Sequence, residues 1–588
     1  MWISQNSPER RLRLPRGSRS QASQRHRFRP KLEGLEERTV LSTLTVLNTL
    51  DKGAGSLRDT ISGAKSGDTI VFAPSLDGQT ITLTSDELAI KKSLDIEGPG
   101  AGQLAISGND TNRIFNVNEG FTVTIAGLMI THGLGKGNRG GGGILNVGSI
   151  VNLANDVFSS NTAFYPGRSY LSQGGAVANW NGADLTVTQC TFVENQADAH
   201  GTGSGIALGG AISNNSDGAP GSTLLIVNSV FLNNRAIGGD GGIVTSGQTA
   251  VGIAEAGAIN NGGHSSLTVL SSTFSGNMAV AGNGGSGGNG VASYAVDGAL
   301  GGAIQSGEQT MLVVDGCTFT SNLAMGGSNA IGGTGGAGHL GLASGGALDN
   351  DNSATITNSA FVGNQALAGS GNRGSTGSLT VGRAVGGAID NSFFPGEAPG
   401  TLIASNLIFA NNEAIGGNAN LGGPFAGYGI GGALSNQFGA TATVSNCTFT
   451  DNQAVGGSGA TGSTGGDGLG GGLANILGAS LTVSDCTITG NQAVGGAGVP
   501  GVSGGNGFGG GAYNDGQSSV AILTNTTSGN QSEGGTAGAG GDAGLGEGGG
   551  LYFADGGAAC LDAFTITNVF GNIASTSDND IFGVYTIC

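Results

Sequence analysis

The sequence predicts an all-β solenoid, a right-handed parallel β-helix with a short N-terminal capping helix and long glycine-rich loops. Three observations point there. A two-part motif recurs along most of the chain, 120 of the 588 residues are glycine, and an apolar share of 37% still supplies a continuous core. Composition this far from globular averages calls for a repeat explanation before a domain count.

The first part of the motif is two small residues, a third small residue and usually an aliphatic one. Eleven copies end at Ile144, Val177, Ile212, Ile259, Ile304, Leu348, Ile389, Leu434, Leu473, Ala512 and Leu551, 33 to 47 residues apart. An Asn usually follows two places later, from Asn146 to Asn514. The second part is an alternating run such as Leu185–Phe192 that closes with Phe-x-x-Asn, from Phe158 with Asn161 to Phe449 with Asn452. Later copies decay to Ile488 with Asn491 and Thr527 with Asn530. Period-two alternation is a strand signal with the polar alternates outward. No single copy buries its apolar face, whereas stacked copies do. At the strand spacing of about 4.8 Å, eleven coils span roughly 50 Å. The recurrent Asn residues are expected to bond turn backbone and one another from rung to rung, as structural ladders. Helical solenoids fail on glycine and β-branched content, and collagen fails for want of a glycine at every third residue.

Ahead of the repeats, Gly55-Ser56-Leu57-Arg58-Asp59-Thr60-Ile61 predicts a short helix. Ser56 and Asp59 have capping-box spacing, Leu57, Ile61 and Ala64 share a face, and Gly67 supplies a stop. Such a helix covers the open end of the core. Runs such as Thr69–Phe72, Leu94–Ile96 and Leu104–Ser107 are the first strands. The organisation is therefore a basic segment over 1–43, the cap and first coils over 44–139, and the repeat β-helix, about eleven coils, over 140–588.

Charge divides sharply. Residues 1–42 hold ten Lys+Arg against four Asp+Glu, leaving 12 cations against 36 acids, a net of −24, for the rest. Beyond Arg139 there is no lysine, and the only arginines are Arg168, Arg235, Arg373 and Arg383. A body so poor in cations is a poor partner for nucleic acid. No apolar run is long enough for a transmembrane helix, and no alternating barrel strands close the chain.

The Gly-Gly-Ala-Ile and Phe-x-x-Asn pairing resembles the repeat of chlamydial polymorphic outer membrane proteins and related right-handed β-helix proteins of the pectin-lyase-like fold. Ser56–Ile61 is similar to the Ser-Leu-Arg-Glu-Ala-Ile motif that precedes many such helices. The run Arg29-Pro-Lys-Leu-Glu-Gly-Leu-Glu-Glu-Arg-Thr-Val-Leu-Ser42 resembles the LEPR-XLL-type segment of exported planctomycete proteins, with Glu37-Arg38 where that family has Pro-Arg. The resemblance implies export, to the surface or the medium.

Cys190, Cys317, Cys447 and Cys486 share the inward parity of the second motif and are expected to be buried thiols. A Cys447–Cys486 or a Cys560–Cys588 disulfide stays open. Asp349 and Asp390 occupy the same position in consecutive repeats, with Asp351 nearby; stacking would hold the pair about 5 Å apart, close to a retaining glycosidase pair. The competing reading is solvated acids or a loose Ca²⁺ site. A uronate lyase would also need a cation, and only Arg373 and Arg383 lie between the two acids. His26, His132, His200, His264 and His339 share no register and are expected in surface loops. The glycine-rich inserts lack the regular nonapeptide of calcium-binding repeats and are expected to be flexible or glycine-packed loops.

The expectation from sequence is therefore a secreted or cell-surface β-helix with an adhesion, envelope or matrix role, not an enzyme, requiring no cofactor and meeting polysaccharide or other envelope components. The alternative is a carbohydrate-active enzyme, a polysaccharide lyase or glycoside hydrolase, using Asp349, Asp390 and Asp351.

Overall fold

The computed structural model describes residues 41–588 apart from 138, 166–170, 202, 219, 247, 376, 394–397 and 424. The export-like run up to residue 40 and His26 lie outside the described residues.

Each coil begins where the repeat begins. In one example the chain runs through the opening strand Leu434–Gln437, the alternating strand Thr441–Ser445, the Phe strand Thr448–Thr450 and the strand Gln453–Val455, crosses the insert strand Gly468–Leu469, and reopens at Leu473–Ile476. Among the described residues, equivalent strands of successive coils pair in parallel, producing sheets of 14, 16, 14 and 12 strands and two insert sheets of ten and five. The register keeps repeat positions aligned: Phe319 faces Phe361, and Asp349 faces Asp390. The chain is a right-handed parallel β-helix.

Alternation explains the main core. Thr401–Ser405 buries Leu402 and Ala404 and turns Thr401 and Ile403 outward. The Phe residues form one stack, with ring centroids 4.7 Å apart from Phe158 to Phe192 and again from Phe319 to Phe361. The inserts are glycine-packed, and they carry short strands of their own. Between these strands and the strand after each Asn lies a second, thin core built from alanine, including Ala197, Ala236, Ala279, Ala254, Ala299 and Ala343. Only small side chains fit where the sheets approach this closely. At the corner before Leu348, a Cβ on Gly346 would lie 2.0 Å from the Gly387 carbonyl oxygen.

The Asn ladders hold the bends. Asn195 accepts from the backbone N–H of Asn161 at 3.1 Å, donates to the Phe158 carbonyl at 3.0 Å and donates to the Asn234 side chain at 3.0 Å. The pattern repeats to Asn530 and Asn572. The residue before each Asn turns the chain in the left-handed region, with φ of 53° at Ser160 and 55° at Glu194. A second ladder runs Asn146, Asn179, Asn214 and Asn261, meets Ser306, and resumes from Asn350 to Asn514.

The capping helix, α1, spans Leu57–Gly63; Ser56 accepts from the Asp59 N–H at 3.2 Å, and Leu57 and Ile61 are buried. At the other end Cys560 and Cys588 form a disulfide, while Cys190, Cys317, Cys447 and Cys486 are buried free thiols. No helix among the described residues is long and apolar enough to cross a membrane.

Candidate functional site

The second residue of each opening strand points away from the main core, since the first and third point into it. Parallel register lines these residues up as Ser213, Asn260, Gln305, Asp349, Asp390, Ser435 and Ala474. The insert strand just before each opening contributes a second row: Leu208, Glu255, Leu300, Ser344, Val385, Ile430 and Leu469. The two rows meet across the glycine corner. Asn260 donates to Glu255 at 3.0 Å, Ser344 contacts Asp349 at 2.5 Å, and Ile430, Leu469 and Ala474 pack together. The corner is thus a trench along the solenoid, polar in its middle coils.

Asp349 and Asp390 lie on its floor beneath the inserts, each 1% exposed. The Ser344 hydroxyl touches Oδ1 of Asp349 at 2.5 Å and Oδ2 of Asp390 at 2.8 Å. A hydroxyl has one hydrogen to donate, so one carboxyl must keep a proton and donate to Oγ. Burial and repulsion from Asp351 and Asp390 hold the Asp349 carboxyl well above the usual carboxylate range. Burial also raises Asp390, but Ser344, two bonds from Gln437 at 3.0 and 2.8 Å and the Arg383 charge favour its ionised form. Of the two, the surroundings of Asp349 favour keeping a proton more strongly than those of Asp390 do. Arg383, 1% exposed, contacts Gln437 and lies 5.6 Å and 5.5 Å from the ring centroids of Phe425 and Phe438; its Nε and Nη1 have no hydrogen-bond partner. Burial lowers its pKa to about 10, so it stays charged near neutrality.

His339 overturns the expectation of surface histidines. It is buried in the insert strand Ala337–Leu340, contacts Thr380 Oγ1 at 2.8 Å, and meets the Tyr294 ring edge-on at 5.0 Å. The insert folds back over the trench and carries it inside; burial and the Arg383 charge lower its pKa to about 3 and keep it neutral. His132, His200 and His264 are exposed, as expected.

Asp351, two residues beyond Asp349 and on the same strand face, reaches an open cleft of about 220 Å³. The cleft is lined by Asn215, Glu255, Asn260, Leu300, Gln305, Glu308 and Asp351, with glycines between. Glu255, Asn260, Gln305, Asp351 and Ser392 form one hydrogen-bonded chain: Asn260 donates to Glu255 at 3.0 Å and to Gln305 at 2.8 Å, Gln305 to Asp351 at 3.5 Å, and Ser392 to Asp351 at 2.8 Å. Burial first, then the charges of Asp351 and Glu308, push the Glu255 carboxyl up to about 7. Asp351 is raised by burial and by Asp390 and Glu308, while its bonds from Ser392 and Gln305 favour the ionised form. One cleft thus holds a carboxyl that keeps its proton near neutrality and a hydrogen-bonded partner poised to ionise, an arrangement suited to acid–base chemistry.

Glu255 was not singled out from sequence. Its signal is positional: it stands four residues before Ile259, in a column filled elsewhere by Leu300, Val385, Ile430 and Leu469. Arg373 lies apart from the acids, in a shallow groove of about 700 Å³ with Ile331 and Leu421 on the outer edge of the inserts. Among the described residues, no group of three or more His, Cys, Asp or Glu is placed to hold a metal ion.

No protein-family model matches the chain, and no curated protein matches it in sequence. Three solved structures similar to it are the catalytic unit of an α-1,3-glucanase from Streptomyces thermodiastaticus, a mannuronic acid specific polysaccharide lyase of family 6 from human gut microbiota, and the A-module of a mannuronan C-5 epimerase from Azotobacter vinelandii. The glucanase is 11% identical with TM-score 0.30, over 92% of this chain and 70% of its own. The lyase is 9% identical with TM-score 0.28, over 76% and 87%. The epimerase module is 12% identical with TM-score 0.18, over 88% of each. All three are named for catalysis, which corrects the expectation that this chain is not an enzyme: a β-helix of stacked repeats is no ground for excluding it. The apparent sparseness of chemistry had a physical cause, because the cleft draws Asn215, Glu255, Gln305 and Asp351 from separate coils that no linear scan brings together.

Proposed function

We propose that this chain is an exported enzyme that hydrolyses glycosidic bonds in polysaccharide, with the cleft at Glu255 and Asp351 as its site. The observation that carries the reading is the pairing there of a carboxyl held protonated to about pH 7 with a second, hydrogen-bonded carboxylate. Glu255 gives its proton to the departing glycosidic oxygen. Asp351 serves the sugar carbon, directly or by taking a proton from attacking water. One C–O bond breaks, and the elements of water are added across it. The surrounding amides of Asn215, Asn260 and Gln305 suit sugar hydroxyls. Hydrolysis is favoured over lyase chemistry because, among the described residues, no Lys, Arg or His lines the cleft to neutralise a uronate. Asp349 and Asp390 act from behind as a buried charge set that tunes Asp351, without touching substrate.

Export is supported by the Cys560–Cys588 disulfide, a feature of oxidising compartments, and by the planctomycete-like run Arg29–Ser42. The likeness of the repeats to chlamydial polymorphic outer membrane proteins agrees with a surface or extracellular setting.

The test is release of new reducing ends from a panel of neutral, amino and anionic polysaccharides. Turnover should fall at least about a hundredfold in Glu255→Gln. Undiminished turnover in both Glu255→Gln and Asp351→Asn, or none on any member of the panel, would overturn the proposal.

A further inference from the structure

Glu255 lines a second space besides the cleft. It is a largely apolar hollow of about 120 Å³, walled by Ile206, Ile253, Leu300, Leu342 and the Tyr294 ring, and it shares Glu255 and Leu300 with the cleft. Register explains why it is open. The residues one place before the insert strands stack as Ile206, Ile253, Gly298, Leu342, Arg383 and Tyr428. Of these six, Gly298 alone brings no side chain to the column. A Cβ placed there would lie 3.4 Å from Cδ1 of Ile253 and 4.0 Å from Cβ of Leu342, so the position has room for one. A void in a packed wall forfeits contacts that an occupant restores.

We infer that the hollow is a leaving-group subsite for an aromatic ring, so that the site cleaves aryl glycosides besides bonds between sugars. Among the described residues, Glu255, assigned to the departing oxygen, lines the hollow, whereas Asp351, assigned to the sugar carbon, does not. The hollow therefore lies on the departing side. A cavity of about 150 Å³ with similar aliphatic walls takes benzene, so a six-membered aromatic ring is of the right size. Besides Glu255, only Thr249 and Tyr294 among the described residues bring hydroxyls to the hollow, too few for those of a buried sugar ring. An acetyl group, with one methyl to bury, would leave most of the space empty. A phenol has a single polar atom, and that atom is the glycosidic oxygen beside Glu255. In the reaction the bond from the anomeric carbon to the phenolic oxygen breaks. One water is added overall: its hydroxyl goes to the carbon, and its proton replaces the one that Glu255 gives to the phenol. The inference rests on the proposed glycosidic activity, while the ring binding it describes is measurable without turnover.

Calorimetry and crystal soaks of the full chain with phenol and with N-methylacetamide test it. Phenol should bind with a Kd of about 1 mM or below, its ring beside Gly298 and its oxygen within about 2.6–3.2 Å of the Glu255 carboxyl. N-methylacetamide should bind at least about tenfold more weakly. Gly298→Val fills the hollow at a position whose backbone lies outside the left-handed region. It should weaken phenol binding at least about tenfold while the unfolding temperature holds or rises. The phenyl glycoside of the sugar whose polymer the chain cleaves should release phenol, with KM raised about tenfold in Gly298→Val. Phenol seated outside the hollow, amide binding equal to that of phenol, or a phenyl glycoside left intact while its polymer is cleaved would overturn the inference, and the soak of the unaltered chain decides this even where the variant misfolds. Phenol held in the hollow without cleavage of any substrate would refute the activity alone; polysaccharide cleavage without phenol binding would refute this inference alone.

Discussion

Asp349 and Asp390 hold equivalent positions in consecutive coils, yet the bonds from Gln437 and the Arg383 charge favour the ionised form at Asp390 alone, and isosteric substitution tests whether Asp349 keeps the proton. Asp349→Asn replaces a neutral acid by a neutral amide. The new N–H donates to Ser344 Oγ, as the carboxyl proton does across 2.5 Å, so the expected loss is under about 1 kcal/mol. Asp390→Asn removes the carboxylate that balances the buried Arg383, whose Nε and Nη1 already lack partners. Gln437 bridges the two groups, and weakening its bonds to a charged carboxylate costs about 1.5–3 kcal/mol. Urea denaturation at pH 7 should show a midpoint near that of the unaltered chain for the first variant and a much lower one for the second. The pH dependence has a definite sign. The Asp349 carboxyl is held above its ordinary 3.8 in the folded chain, so its stabilising contribution is complete below about pH 4 and is lost as pH rises through the folded value. Asp349→Asn should flatten that decline. Equal losses from the two variants, or a larger one from Asp349→Asn, would refute the proton assignment.

A second buried acid lies at the corner before Val157. Burial raises Asp156 to about 8, its Oδ2 is unpaired, and Asn525 fills the equivalent corner with its amide bonded to the Val483 carbonyl at 2.9 Å. Asp156→Asn should therefore raise stability by at least ~2 kcal/mol at pH 9, with the gain shrinking towards pH 4, as read from unfolding midpoints. In the main ladder, Asn322→Ala removes bonds to Phe274, Asn364 and both nitrogens of Asn277. At about 1 kcal/mol each the loss is about 4 kcal/mol, visible as faster amide exchange confined to the adjoining coils. Thiol titration should find no reactive cysteine in the folded chain and four after unfolding without reductant, matching the four buried free thiols and the one disulfide.

The solenoid was legible because its cause repeats. Each Phe-x-x-Asn carries a core ring and a corner amide, and eleven openings set the register, so the Asn ladders and the cap at Ser56 follow from local spacing. The stacking of Asp349 on Asp390 was legible for the same reason. What lies above them was not. The inserts vary in length and are dominated by glycine, so neither periodicity nor propensity reveals that His339 is buried or that Arg383 is linked to Asp390 through Gln437. Glu255 hid in a mostly apolar column, and its proton affinity comes from burial first and then from Asp351 and Glu308, contributed by other coils.

The most direct measurement is a crystal structure of Asp351→Asn soaked with a hexamer of whichever polysaccharide in the panel the unaltered chain cleaves. The glycosidic oxygen should lie within about 2.6–3.2 Å of the Glu255 carboxyl, with the chain running through the cleft at Asn260 and Gln305. A hexamer seated elsewhere, such as the groove at Arg373, with the cleft empty, would contradict the assignment of Glu255 and Asp351 as the catalytic pair.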